Sequence, residues 1–337
     1  MRHRAGLMLS AAALGVAVAA LFTIAGPQAK ADDPNSAPNP YHVVEHWAKL
    51  PQGRAWGQAI GLDIDRDGTS VWVFDRCATT TCVGSNVAPI QKFDANGRLV
   101  VSFGSGLINW PHGLGVDRDG NVWVTDGKAG DGKGETAIKF APDGRVLMTL
   151  GTPGVAGNGS NQLNGPSDVL VAPNGDIFVA DGHGEGTNDR IVKYSPDGKF
   201  LKTWGHHGSG PGEFNVTHGL AMDSAGRLFV ADRSNNRIEI FDPNGKLLDI
   251  WKQFGRPSGV YIQNDVLYAC DSQSGSKVNA PFRQGIRIGS VKDGKVTAFI
   301  SAPDPSFEMP EGCTADKNGN VFGGFTAKDD VKKYVKG

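Results

Sequence analysis

Hydrophobic and polar residues alternate in short runs along most of this chain. Val122 and Val124 share one face of "NVWVTD", and Phe178 and Ala180 share one face of "DIFVAD". A period of two over five or six residues predicts strands. Asp-Gly and Asn-Gly pairs separate many of these runs and predict tight hairpins. The runs also recur. "PHGLGVDRDGNVWVTD" (111–126), "PSDVLVAPNGDIFVAD" (166–181) and "THGLAMDSAGRLFVAD" (217–232) align with one another. Weaker copies lie at 57–75, 257–271 and 310–325. Most are followed by a second half-unit such as "RIVKYSPDGKFLKTWG". Each unit therefore holds four short antiparallel strands within about 40–55 residues, the length of a propeller blade. A lone four-stranded sheet cannot bury both faces, so blades stack around an axis. The prediction is an all-β fold, a six-bladed β-propeller over 41–337. "YHVVEHWAKL" (41–50) precedes the first unit and reads as a strand that completes blade six, closing the ring and removing open edges.

Composition narrows the function. The 337 residues include 47 glycines, about twice the usual share, with a net charge of −1. Glycine at this density suits turns and disfavours helices. The balance is not basic, which argues against a nucleic-acid partner. Arg2 and Arg4, the apolar run Ala5–Gly26 and the small residues Ala29 and Ala31 have the layout of a signal peptide over 1–31. The alternative is an uncleaved anchor, since a run of this length can span a bilayer. Cleavage would send the chain to the periplasm or outside the cell, free of the membrane. Residues 32–40, rich in Pro, Asn and Ser, read as a flexible lead. Cys77, Cys82, Cys270 and Cys313 suggest two disulfides in an oxidising compartment. Three pairings are open, and proximity favours Cys77 with Cys82, leaving Cys270 with Cys313.

The candidate chemistry comes from equivalence between blades. The residue at the start of each innermost strand faces the channel. Along the six units it reads Gln58, His112, Ser167, His218, Ser258 and Glu311. One histidine alone would read as a polar residue lining a wet channel. Here His112, His218 and Glu311 fall on alternate blades and should converge on the axis. Two imidazoles and a carboxylate suit zinc or another divalent transition metal, with coordination left open for a ligand. The Asp that closes the second strand (Asp75, Asp126, Asp181, Asp232 and Asp271) reads as scaffold bonded to local backbone. The next residue varies, and Arg76 and Arg233 are the cations there, able to bind a carboxylate or to form surface ion pairs. His183, in the insertion "HGEGTND", is open to reading as a base, a ligand or an exposed residue. His206 and His207 read as solvated, and the tryptophans as packing.

The repeats resemble those of NHL-type propellers. "WPHGLGVDRDGNVWVTD", "PSDVLVAPNGDIFVADG", "THGLAMD" and "LFVADRSNNRIEIF" resemble more closely the peptidyl-α-hydroxyglycine α-amidating lyases. The resemblance implies a catalytic zinc whose three histidine ligands fall on His112, His218 and Glu311, with Met309 near the metal. It implies that Arg76 binds the substrate carboxylate and that Arg233 is a further active-site arginine. The family's catalytic tyrosine falls on His183. A structural calcium is implied by carbonyls at Leu62 and Leu114, but its carboxylate ligand falls on Gly312.

These readings together give an exported, metal-dependent lyase. It would act on a small molecule or short peptide with a carboxylate, with His183 moving a proton and Arg76 and Arg233 holding the acid. The alternatives are a metal-dependent lactonase on the same propeller and a non-enzymatic NHL-repeat binding module.

Overall fold

A computed structural model describes Met1 and residues 33–302, 310–326 and 330–337. Residues 2–32, on which the signal-peptide reading rests, and Met309 lie outside the described residues. Contacts divide the chain into Met1–Asp32 and Asp33–Gly337, and the second unit holds all the described strands. Among the described residues no helix is long and apolar enough to cross a membrane.

Six four-stranded antiparallel sheets follow one another along the chain. Their innermost strands are Ala59–Ile64, Pro111–Val116, Pro166–Val171, Thr217–Met222, Pro257–Gln263 and Pro310–Ala315. Tyr41–Val44 pairs antiparallel with Asp330–Lys336 as the outer strand of blade six. The ring is thus closed by its N-terminal strand, as the sequence predicts. The core lies between blades. Trp72, Phe74 and Phe140, for example, are fully buried between blades one and two. Burying one such side chain stabilises the fold by about 1.5–3 kcal/mol. The lead at 33–40, expected to be flexible, carries specific bonds. The Asn35 side chain accepts from Arg287 Nη2 at 2.9 Å and donates to the Pro281 carbonyl at 2.9 Å.

Both disulfides pair as proximity suggests. Cys77–Cys82 closes the blade-one insertion, and Cys270–Cys313 ties blade five to blade six. The blade-one insertion then supports the next blade: Cys82 N–H donates to the Asn109 carbonyl at 2.8 Å.

The strand-closing aspartates are scaffold, as their repetition implies. All five are fully buried. Each accepts backbone N–H groups from the turn leading into its own blade. Asp126 takes Asn109 N and Trp110 N at 2.8 and 2.7 Å, and Asp232 takes Asn215 N at 2.7 Å. Three further acids join neighbouring blades. Glu135 accepts Gly165 N at 2.6 Å, Asp63 accepts Val116 N at 2.7 Å and Asp168 accepts Leu220 N at 2.8 Å.

Asp126→Ala removes both acceptors and leaves two buried N–H groups unpaired. It should lower stability by about 2–4 kcal/mol, read from the urea midpoint. Asp143→Ala, on an exposed turn, should change it by less than about 0.5 kcal/mol.

Candidate metal centre

Every innermost strand loses its regular register at its first residues. The shifts fall between Ala59 and Gly61, Pro111 and Leu114, Pro166 and Asp168, Thr217 and Leu220, Pro257 and Val260, and Pro310 and Gly312. Such irregularities re-aim side chains. They coincide with the positions of His112, Ser167, His218, Ser258 and Glu311. Glycine follows four of these anchors because the inner strands crowd at the axis. A Cβ on Gly113 would lie 2.5 Å from Asp168, and one on Gly219 2.7 Å from the Ser258 carbonyl.

His112, His218 and Glu311 converge, and His183 joins them. Their four ligand atoms lie within 4.8 Å of one another. Odd blades set the imidazoles. His112 Nδ1 sits 2.6 Å from the Ser167 carbonyl, and His218 Nδ1 sits 3.0 Å from the Ser258 carbonyl. Each Nδ1 therefore carries the proton and donates it to a carbonyl, leaving Nε2 with its lone pair. This is the usual arrangement for metal-ligating histidine. The His112 Nε2 is buried with no protein partner. His218 Nε2 lies 3.0 Å from Glu311 Oε1. Two electron-rich atoms at that distance need a cation. Here Arg233 serves, its Nη1 donating to His218 Nε2 at 2.7 Å and to Glu311 Oε1 at 3.1 Å. The donor set thus fits a divalent metal, since the acceptors converge, one has no partner, and the site already attracts positive charge.

Electrostatics favour the ligand forms. Burial, reinforced by the charges of His183, His218 and Arg76, pushes His112 well below the usual imidazole range. Burial, then His218 and Arg233, does the same to His183. Burial and Arg233 lower His218, with Glu311 opposing them. Burial alone would raise Glu311, but its contact with His218 and the positive charge of Arg233 hold its carboxyl well below the usual carboxylate range.

Arg76 is buried and is not a surface ion pair. Its Nε donates to the Pro111 carbonyl at 3.1 Å, and its Nη1 donates to Gln58 Oε1. Gln58 is fixed in turn by donating to the Thr326 carbonyl at 3.1 Å. Burial lowers Arg76 to about 10, so it remains cationic at neutral pH. The guanidinium stacks on Trp110, 3.9 Å from the ring centroid. Trp110 also packs against His112 and His183, with centroids 5.1 and 4.9 Å away.

The expectation of tryptophans as packing overlooks Trp110, which forms the floor between Arg76 and the histidines. A partial signal was available: Trp110 stands just before the repeated frame, where blade one also carries a tryptophan, Trp56, and blades three to six carry other residues. Arg233, expected to face a substrate carboxylate, instead spans His218 and Glu311. His206 and His207 are exposed as expected, but His207 Nδ1 also pairs with Asp189 Oδ2 at 2.6 Å. At the implied calcium site, Leu62 and Leu114 both line the channel. A Cβ on Gly312 would lie 2.0 Å from the Ile60 carbonyl, so no carboxylate side chain can enter there.

The NHL repeat profile matches residues 214–241. The human NHL repeat-containing protein 3 is 33% identical over 57% of this chain and 54% of its own length. The Xenopus laevis peptidyl-glycine alpha-amidating monooxygenase B is 34% identical over 82% of this chain and 34% of its own. The Drosophila melanogaster peptidyl-alpha-hydroxyglycine alpha-amidating lyase 2 is 31% identical over 59% of this chain and 50% of its own. The chain therefore spans about half, or less, of the length of these relatives. Among solved structures, a Xanthomonas campestris gluconolactonase shares the fold at TM-score 0.57 and 16% identity, over 88% of this chain and 94% of that one. The chain is an NHL-repeat six-bladed β-propeller that resembles the peptidyl-α-hydroxyglycine α-amidating lyases.

Proposed function

We propose that this protein is an exported metal-dependent carbon–nitrogen lyase, which splits a peptidyl-α-hydroxyglycine into a peptide amide and glyoxylate. The observation that carries the reading is the convergence of His112, His183, His218 and Glu311 within 4.8 Å, beside a buried arginine with no acidic partner among its hydrogen bonds. Relatives named for amidating chemistry support the same choice.

In this reading His112, His218 and Glu311 hold zinc or a similar divalent ion. Bound there, the ion supplies Lewis acidity that lowers the pKa of the substrate hydroxyl. Arg76 pairs with the substrate carboxylate, and its bonds to Gln58 and Pro111 keep its orientation fixed. His183, neutral because it is desolvated, accepts the hydroxyl proton at Nε2. The oxygen's electron pair forms the aldehyde C=O as the C–N bond breaks. The pair released to nitrogen takes up the proton from His183, which completes the amide. With the His218 Nε2 lone pair on the ion, Arg233 would keep its bond to Glu311 and stabilise negative charge that develops at oxygen.

The lactonase reading rests on fold likeness alone and predicts faster turnover of lactones than of carbinolamides. The binding-module reading predicts no turnover of either.

Two outcomes are expected. Mature protein reconstituted with zinc releases glyoxylate from an α-hydroxyglycine peptide, and His112→Ala lowers the rate by about 100-fold or more. Release no faster than that variant's background would remove the lyase reading. Arg76→Ala raises KM about 10–100-fold, the value of a charge-assisted pair, with a smaller effect on kcat. The methyl ester of the same substrate, which carries no carboxylate charge, should not distinguish Arg76→Ala from the wild type.

A further inference from the structure

A second feature sits beside the metal centre. The loop Gly184–Thr187, which follows His183, forms one wall of a cavity of about 520 Å³, and His207, Asn215 and Val216 form the other. This groove adjoins the centre along the chain: His183 immediately precedes its first wall, and Val216 stands two residues before His218.

Its construction is specific. Val216 has φ +61°, rare for a β-branched residue. The conformation is held by Asp189, whose Oδ1 accepts Val216 N at 2.9 Å. The other carboxylate oxygen of Asp189 pairs with His207 Nδ1, so one buried acid fixes two members of the same wall. Across the groove, Thr187 Oγ1 donates to the Gly184 carbonyl at 2.7 Å and pins the loop.

The groove also lies in the right direction. Arg76 and the groove stand at opposite ends of a continuous floor. Arg76 stacks on Trp110 at 3.9 Å, Trp110 meets His183 at 4.9 Å, and Gly184 follows. An extended chain advances about 3.3–3.6 Å per residue, so a substrate anchored at Arg76 reaches the groove within two or three residues.

We propose that this groove binds the peptide arm of the substrate, the residues on the N-terminal side of the α-hydroxyglycine. The inference rests on the lyase reading for the direction of the chain. The lining offers a peptide partners that a long alkyl arm cannot use. Thr187, Asn215, His207 and Glu185 present polar groups, the glycine loop presents backbone, and Val216 is the one apolar side chain among the lining residues.

The test is calorimetric and needs no turnover. The zinc-loaded protein is titrated with a tetrapeptide ending in glycine, with N-acetylglycine and with N-lauroylglycine. The tetrapeptide should bind about tenfold more tightly than N-acetylglycine. Glu185→Trp, which fills the groove from its exposed rim, should weaken the tetrapeptide about tenfold and N-acetylglycine less than about twofold. His207→Trp, on the opposite wall, should repeat the pattern and guards against a folding defect in the first variant. Equal affinities for tetrapeptide and N-acetylglycine would overturn the inference. So would a tetrapeptide affinity unmoved by both variants, or tighter binding of N-lauroylglycine. Groove-dependent peptide binding without glyoxylate release would remove the lyase reading and leave this inference standing.

Discussion

The grip of buried carboxylates on backbone N–H groups is the interaction on which the channel depends. Each inner strand must begin at a defined height for its first side chain to face the axis. Asp75, Asp126, Asp181, Asp232 and Asp271 fix that height from within their own blades. Burial of a charge is costly, and burial pushes Asp126 and Asp232 up to about 6. The carboxylates persist because they accept several N–H donors, and because Arg190 and Arg237 neutralise Asp181 and Asp232 at 2.8 and 2.7 Å. A different residue makes the join between blades. Glu135, Asp189 and Asn236 each precede a third strand with positive φ, and each reaches the lead-in of the following blade.

On this frame the blades divide their labour. Even blades carry His112, His218 and Glu311. Odd blades carry Ser167 and Ser258, small enough to let the imidazoles pass and able to fix their tautomers through backbone carbonyls. Gln58, the remaining odd anchor, steadies Arg76. Arg233 links two of the even blades, because it holds Glu311 of blade six while satisfying His218 of blade four.

Much of this was legible in the sequence, because period carries geometric information. Once six copies align, equivalent positions share one height around the axis, and so His112, His218 and Glu311 could be grouped before any coordinates. The aspartates were legible for the same reason. Contacts between different positions of different blades were not. Nothing in the repeat says that Trp110 lies between Arg76 and His183, or that Asp189 grips Val216. His183 was legible as an insertion residue, but an insertion has no register, so its arrival in the cluster required the loop's own bonds to Gly165. Asn35 was hidden by composition: in a stretch rich in turn formers, one asparagine fastens the lead to Arg287.

The metal itself offers the most direct test of the central claim, that His112, His218 and Glu311 from three blades assemble a site for a single divalent ion. The measurement is metal content of the purified protein after reconstitution and removal of free ion. The account predicts about one equivalent per chain, with substantial loss in His112→Ala, His218→Ala and Glu311→Ala variants that remain folded. A wild-type protein that retains no stoichiometric metal, or a Glu311→Ala variant that retains all of it, would contradict the assignment.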